Sequence, residues 1–322
     1  MMDHGSEETG QLADGVRSGD VLRIARALSI VENGHTAASS LMHSLFDPAR
    51  REITIGVTGP PGAGKSSLTS RLISYWRGLH RRVGVIAVDP SSPFSGGALL
   101  GDRVRMQEHA SDSGVFIRSM GSRGHLGGLA GSTRDALEIL SAASYDPVIV
   151  ETVGVGQAEV EVASLADITI LVLVPGLGDE VQAMKAGIME IGDVIVLNKA
   201  DRPGIDQLEA SVSASLEMMP AEAVRPPVIR TSARTGEGID DLTSLLSSMA
   251  RDLANTDEVV RRRVSLTLES ILRERGRELA RRIVHREFHS TEKAVDSIIR
   301  GDTTPYEIGE LIAGYTGTGE RT

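Results

Sequence analysis

Cysteine is absent from all 322 residues, which excludes a disulfide framework, a thiolate metal cluster and a cysteine nucleophile. Aromatic residues make up only 3% of the chain, so rows of rings on which nucleobases stack are not available. No apolar stretch approaches bilayer length. The longest, residues 168–175, is eight residues, against the roughly 20 a spanning helix needs. The opening MMDHGSEETG is acidic and has neither the basic end nor the apolar stretch of a secretory signal, so a soluble, cytoplasmic protein is expected. Positive charge is in deficit: 44 acidic against 34 basic residues leave a formal charge of −10. Such a balance disfavours a general nucleic-acid binder, whose affinity comes largely from neutralising phosphates. Lysine is the scarcer cation, with only Lys65, Lys185, Lys199 and Lys293 beside 30 arginines. A lysine in such a background is a candidate for a place that needs a compact ammonium or a slim stem, and Lys65, Lys199 and Lys185 fall in segments singled out below; chance among so few residues is the competing reading.

What is present describes a folded chain. Hydrophobic residues at 40% and charged residues at 24% exclude a mainly disordered or collagen-like polymer, and the length suits one large or two small domains. Residues 8–48 read as helical, with Leu22, Ile24, Leu28 and Ile30 among polar neighbours. From Arg51 the pattern changes to seven short runs bounded by Gly, Pro or Asp: ITIGVTG, VGVIAVD, VFIRSM, PVIVETVG, ITILVLVP, DVIVLNKAD and PVIRTSA. Runs this apolar predict strands buried on both faces, and the amphipathic stretches between them predict βαβ units around a mostly parallel sheet. An α/β domain over 51–254 is expected, with helical extensions over 1–50 and 255–322.

The first strand runs into Gly59-Pro60-Pro61-Gly62-Ala63-Gly64-Lys65-Ser66-Ser67, and a helical stretch follows. This is the complete phosphate loop, G-x-x-x-x-G-K-[ST], in its strand–loop–helix setting. Its glycines allow backbone N–H groups to turn inward around a phosphate, and the helix N-terminus adds partial positive charge. Lys65 is expected to bridge the β- and γ-phosphates, and the Ser66 hydroxyl to bind Mg²⁺.

Base identity is read further on. Asn198-Lys199-Ala200-Asp201 closes an apolar strand. A carboxylate at Asp201 accepts from both N1–H and the 2-amino group of guanine. Adenine has an acceptor at N1 and nothing at C2, so the carboxylate would be left unpaired against it. The Lys199 stem is expected along the base, with Asn198 tying this segment to the phosphate loop. Ser232-Ala233-Arg234, after the last strand, supplies a backbone N–H for guanine O6. The three motifs in order and spacing point to GTP.

The metal side is expected to use Asp89, at the end of the second strand, and Asp102, after the glycine-bearing loop SSPFSGGALLG. Glu151-Thr-Val-Gly154 stands where many GTPases have Asp-x-x-Gly, so Glu151 would reach a Mg²⁺-bound water and Gly154 N–H the γ-phosphate. Val155 follows Gly154, so the water-orienting glutamine found there in many GTPases is missing. Slow intrinsic hydrolysis is expected, with a further loop or a partner completing the site. The segment 175–185 offers Asp179 and Lys185 for that task; a helix N-cap at Asp179 is the competing reading.

Nine arginines between Arg261 and Arg286 interleave with Glu269, Glu274, Glu278 and Glu287 at helical spacing, which favours a solvated or subunit-contacting helix over a nucleic-acid patch. His285 and His289 lack a third ligand nearby. The glycine-rich stretch 121–131 has no assigned role, and Ser132-x-x-Asp135 reads as a capping box opening the next helix.

The stretches GPPGAGKSSL, VDPSSPFSGGALLGDRVRM, ETVGVGQAE, VPGLGDEVQAMKAGIMEIGDVIVLNKAD and TSARTGEGID resemble the MeaB/ArgK/MMAA family of P-loop GTPases, over about residues 22–315. The resemblance implies a SIMIBI-type G domain with N- and C-terminal helical extensions, the latter forming a homodimer. It also implies GTP-dependent protection and gated cofactor loading of an adenosylcobalamin-dependent methylmalonyl-CoA mutase. By the same resemblance Asp89, Asp102 and Glu151 serve Mg²⁺, and 175–185 is a third switch loop. Ala158 departs from the serine expected in ETVGVGQSE. A GTPase that delivers a metal would store it on Cys and His clusters, and a protein kinase would need a positioned base; neither feature is evident. No nucleic-acid or membrane partner is expected.

Overall fold

The computed structural model describes residues 4–48, 50, 52–89, 107–121, 128–152, 160, 163–176, 188–220 and 222–314. All seven predicted runs form strands: β1 Thr54–Thr58, β2 Val83–Asp89, β3 Val115–Gly121, β4 Val148–Thr152, β5 Ile168–Leu173, β6 Val194–Leu197 and β7 Val228–Arg230. They pair in parallel as one sheet in the order β3-β2-β4-β1-β5-β6-β7. β1 lies between β4 and β5, with Val57 opposite Glu151 and Thr58 opposite Leu171. β2 and β3 lie on one side of β1, β4 returns to the place beside it, and β5–β7 continue on the other side, so the strand order reverses at β1 and its carboxyl end is the topological switch point where ligands of such sheets bind.

Successive side chains point to opposite faces, and the core divides accordingly. On one face Val57, Val85, Ile149, Ile170, Val172 and Val196 pack against α4 (Lys65–Gly78) and α7 (Ile239–Ala254). On the other, Ile86, Val88, Val148 and Val150 meet α5 (Gly128–Ala142) and the N-terminal helices α1 (His4–Arg17), α2 (Val21–Glu32) and α3 (Ala38–Leu45). Leu171, Leu173, Ile195 and Leu197 pack on α6 (Ile205–Glu217). Burying both faces is what makes the strands read as continuous apolar runs.

Aspartates align the ladders. Asp167, just before β5, accepts the Thr54 N–H at 2.9 Å and returns its own N–H to Thr54 O at 2.8 Å. Asp193, just before β6, does the same with Thr169 at 2.7 and 2.9 Å. Asp20 caps α2, its carboxylate accepting from Leu22 and Arg23. The same helix is tied to β3 by Arg118, which donates to Ser29 Oγ at 3.2 Å and pairs with the buried Glu32.

The chain divides into two compact units, Met1–Val264 and Ser265–Thr322. The N-terminal helices share a core with the sheet, and the division falls inside α8 (Glu258–Phe288). In the first unit the opening turns of α8 are held by Arg262, which donates to Ala163 O, and by Arg263, which donates to the Asp47 and Arg50 carbonyls and faces Glu138. In the second unit, arginines of α8 pair with acidic residues of the same helix, Arg273 with Glu269 at 3.1 Å and Arg275 with Glu278 at 2.9 Å. α9 (Thr291–Ile299) and α10 (Pro305–Ala313) follow, the latter opened by a Thr304–Glu307 capping box. Among the described residues no helix is long and apolar enough to cross a membrane.

One expectation is corrected. Ser132 does not open a helix, because α5 already begins at Gly128 and Ser132 lies in its second turn. Ala136, Ile139 and Leu140 of α5 are fully buried. Tertiary packing of that face extends the helix past a local cap signal and past the glycine cost.

Candidate nucleotide site

The site is built where β1 gives way to α4. Gly59, at φ +136°, lies so close to β5 that a Cβ there would stand 2.2 Å from Val172 O. Gly64, at φ +88°, is crowded by the Asn198 side-chain nitrogen, 2.5 Å from where its Cβ would be. A side chain at either position would push the loop off its neighbours. Pro60, Pro61, Gly62 and Ala63 complete the turn; Pro61 is exposed and Ala63 buried. Lys65 is buried, and its Nζ donates to the carbonyls of Gly59 at 2.5 Å and Pro60 at 3.1 Å. Its ammonium is thus folded back over the loop it closes.

Ser66 Oγ, in the first turn of α4, donates to Glu151 Oε1, near the carboxyl end of β4, at 2.6 Å, and both side chains are buried. Ser67 points to solvent. One turn further along α4, Ser70 Oγ contacts Glu108 and lies 2.9 Å from His109 Nε2. Sequence reasoning missed this cluster, because nothing local marks Ser70 as different from its serine neighbours.

A second group converges from the other half of the sheet. Asn198 is buried; its amide donates to Ala63 O at 2.8 Å, while its carbonyl accepts from Ala233 N–H at 3.2 Å and Thr231 Oγ1 at 3.3 Å. One side chain therefore joins three segments. Lys199, at φ +59°, sends its Nζ to Gly62 O at 2.5 Å, and burial holds its ammonium below the usual lysine range. Asp201 accepts from Ser232 Oγ at 2.5 Å and from Arg234 Nε and Nη2 at 3.1 and 2.8 Å. Those bonds, the Ser232 hydroxyl foremost and the arginine next, hold its carboxyl below the usual range. Arg71 of α4 was also missed: its guanidinium donates to the carbonyls of Ala233 and Arg234 at 2.7 and 3.1 Å. A surface arginine on a helix carries no sequence signal for a contact more than 160 residues away.

The structure thus brings together residues 59–66, Glu151, Asn198, Lys199, Asp201 and 231–234. Asp102, Gly154, Asp179 and Lys185 lie outside the described residues, as do the side chain of Asp89 and residues 122–127 of the glycine-rich stretch.

A glycine loop between the central strand of a parallel sheet and its helix, with an Asn-Lys-x-Asp segment folded against that loop, defines a P-loop GTPase. Comparison with known proteins agrees. Residues 24–287 match the family described as methylmalonyl Co-A mutase-associated GTPase MeaB, and the chain belongs to that family. A putative GTPase of Pyrococcus horikoshii is 40% identical over 306 residues, covering 94% of this chain and 96% of the relative. GTPase ArgK of Escherichia coli is 39% identical over 240 residues, 70% of this chain and 71% of the relative. The mitochondrial methylmalonic aciduria type A homolog of Mus musculus is 35% identical over 272 residues, 79% of this chain and 66% of the relative. The crystal structure of LAO/AO transport system kinase superposes with a TM-score of 0.67 at 23% identity, covering 97% of this chain and 98% of that one, which establishes a shared fold.

Proposed function

We propose that this GTPase is Mg²⁺-dependent and acts as a chaperone of an adenosylcobalamin-dependent methylmalonyl-CoA mutase, protecting the mutase and gating its cofactor loading. The observation that carries the enzymatic part is the joining of two groups at one end of the sheet: Ser66 with Glu151, and Asn198 with the phosphate loop. The first group is an all-oxygen pair at the end of the phosphate loop. Such donors suit a hard divalent cation, so Ser66 and Glu151 would hold Mg²⁺, which neutralises charge developing on the phosphates. The backbone of 59–64 and Lys65 would position the β- and γ-phosphates, Asp201 the guanine edge, and a backbone N–H of the segment Ser232-Ala233-Arg234 the O6 atom. Asp89, Asp102 and Gly154 complete this reading from the sequence motifs, with Asp179 and Lys185 as partner-responsive groups. Val155 in place of glutamine supports slow hydrolysis by the chain alone.

The mutase assignment is supported by the family description and by the relative named for methylmalonic aciduria. A switch of this kind works only if the GTP and GDP forms bind the client differently, and the coupling is reciprocal. Homodimerisation through residues 255–322 is part of the proposal. The test is GTP hydrolysis by the full chain with and without the mutase of the same organism. A slow basal rate raised by the mutase supports the reading. An unchanged rate, in protein that still binds GTP, directs the assignment to another client.

A further inference from the structure

The carboxylate of Asp201 is already engaged on both oxygens by donors of the chain itself. Ser232 Oγ reaches Oδ1 at 2.5 Å, and Arg234 Nε and Nη2 reach Oδ2 at 3.1 and 2.8 Å. A carboxylate offers about four acceptor positions, so beside these three donors at most one more fits, not a pair.

The donors differ in how readily they leave. Ser232 is fully buried, and its hydroxyl also accepts from Thr235 N–H at 3.2 Å. Arg234 is 75% exposed and reaches Asp201 only through the end of its side chain. Its backbone is fixed independently. Arg71 clamps the carbonyls of Ala233 and Arg234, and Ala233 N–H is held by Asn198. The Arg234 side chain is therefore the removable part of an otherwise pinned loop.

Guanine presents two donors on one edge, N1–H and the 2-amino group. Two donors leave with the Arg234 side chain, and two would arrive with the base. Adenine brings none to that edge, so displacing Arg234 for adenine would leave a carboxylate unpaired.

We propose that Arg234 is an internal competitor for Asp201: it occupies the base-reading carboxylate and so lowers guanine-nucleotide affinity, while base preference stays with Asp201. The proposal rests on the reading of Asp201 as the guanine-recognising residue. Only the fraction of free protein with Arg234 swung away is competent to bind, so the effect falls on apparent affinity and association rate.

The experiment is a double-mutant cycle on the full chain, measuring GDP affinity in the presence of Mg²⁺ for wild type, Arg234→Ala, Asp201→Asn and the double variant. Arg234→Ala is expected to bind GDP about two- to fivefold more tightly, the scale of an exposed ion pair, through faster association. Arg234→Lys, which keeps the charge and loses the planar fork, is expected between the two. In the Asp201→Asn background the Arg234→Ala change is expected to have no effect. Weaker or unchanged GDP binding by Arg234→Ala overturns the proposal, as does equal tightening in both backgrounds. If Asp201→Asn alone keeps the full preference for GDP over ADP, the base-reading assignment itself fails, whatever Arg234 does.

Discussion

The hydroxyl of Ser66 and Oε1 of Glu151 are 2.6 Å apart, joining the first turn of α4 to the end of β4 across 85 residues of sequence. Both are buried, and β4 is held beside β1 by the pairing of Val57 with Glu151. A carboxylate one methylene longer than the usual aspartate thus reaches the phosphate-loop serine directly.

Glu151→Gln keeps the size and one acceptor but removes the charge that a divalent cation requires. GTP turnover is expected to fall at least about tenfold, the scale of losing a charge-assisted contact, and the Mg²⁺ concentration for half-maximal activity to rise. GDP binding in metal-free buffer is expected to stay near wild type. Equal losses with and without Mg²⁺ would make Glu151 a structural residue.

The opposite end of the sheet carries a pH dependence. Burial pushes the carboxyls of Asp167 and Glu138 above the usual range, although the Thr54 N–H and then Arg262 and Arg263 oppose it at Asp167, and Arg263 and Arg50 at Glu138. A carboxyl whose folded value exceeds its unfolded one binds its proton more tightly in the folded chain. Its contribution is therefore fully present at low pH and declines as pH rises from about 4 through the raised folded value. Asp167→Asn keeps an oxygen for the Thr54 N–H and cannot ionise. Its urea midpoint relative to wild type is expected to increase as pH rises from 4 to 7. A difference that is constant over that interval counts against the assignment.

How much of this was legible follows from the range over which each signal acts. The inner strands β1, β2, β4, β5 and β6 were readable because they are buried on both faces, which leaves a continuous apolar run, whereas the edge strands β3 and β7 are only partly buried and were marked by their bounding turn residues. The phosphate loop and Asn198-Lys199-Ala200-Asp201 were readable because their chemistry is compressed into a few adjacent residues. Arg71, Ser70 and Arg234's hold on Asp201 were not, because each depends on which surfaces of distant elements meet. The false cap at Ser132 is a local signal overruled by the buried face of α5. Likewise, the helix α8 carries no sequence break at the residue where one compact unit ends and the next begins.

The attachment of α2 to the sheet rests on a buried charge, and that sets its response to mutation. Glu32 is almost wholly buried on α2, and Arg118 of β3 is an ion-pair partner of it while also donating to Ser29 Oγ at 3.2 Å. Removing one member of such a pair leaves the other desolvated, at a cost of about 3–5 kcal/mol, whereas replacing both by apolar groups of similar size is often neutral. Arg118→Met is therefore expected to lower urea stability by several kcal/mol, and Arg118→Met with Glu32→Leu to recover most of it. Because α2 packs on the same core as α5 and β2, the loss is expected in the unfolding of the whole first unit, read by tryptophan fluorescence of Trp76 on α4. A double variant no more stable than Arg118→Met would mean that the pair contributes net attraction beyond its desolvation. A single variant as stable as wild type would mean that Glu32 is still compensated, by another partner or by solvent, when Arg118 is gone.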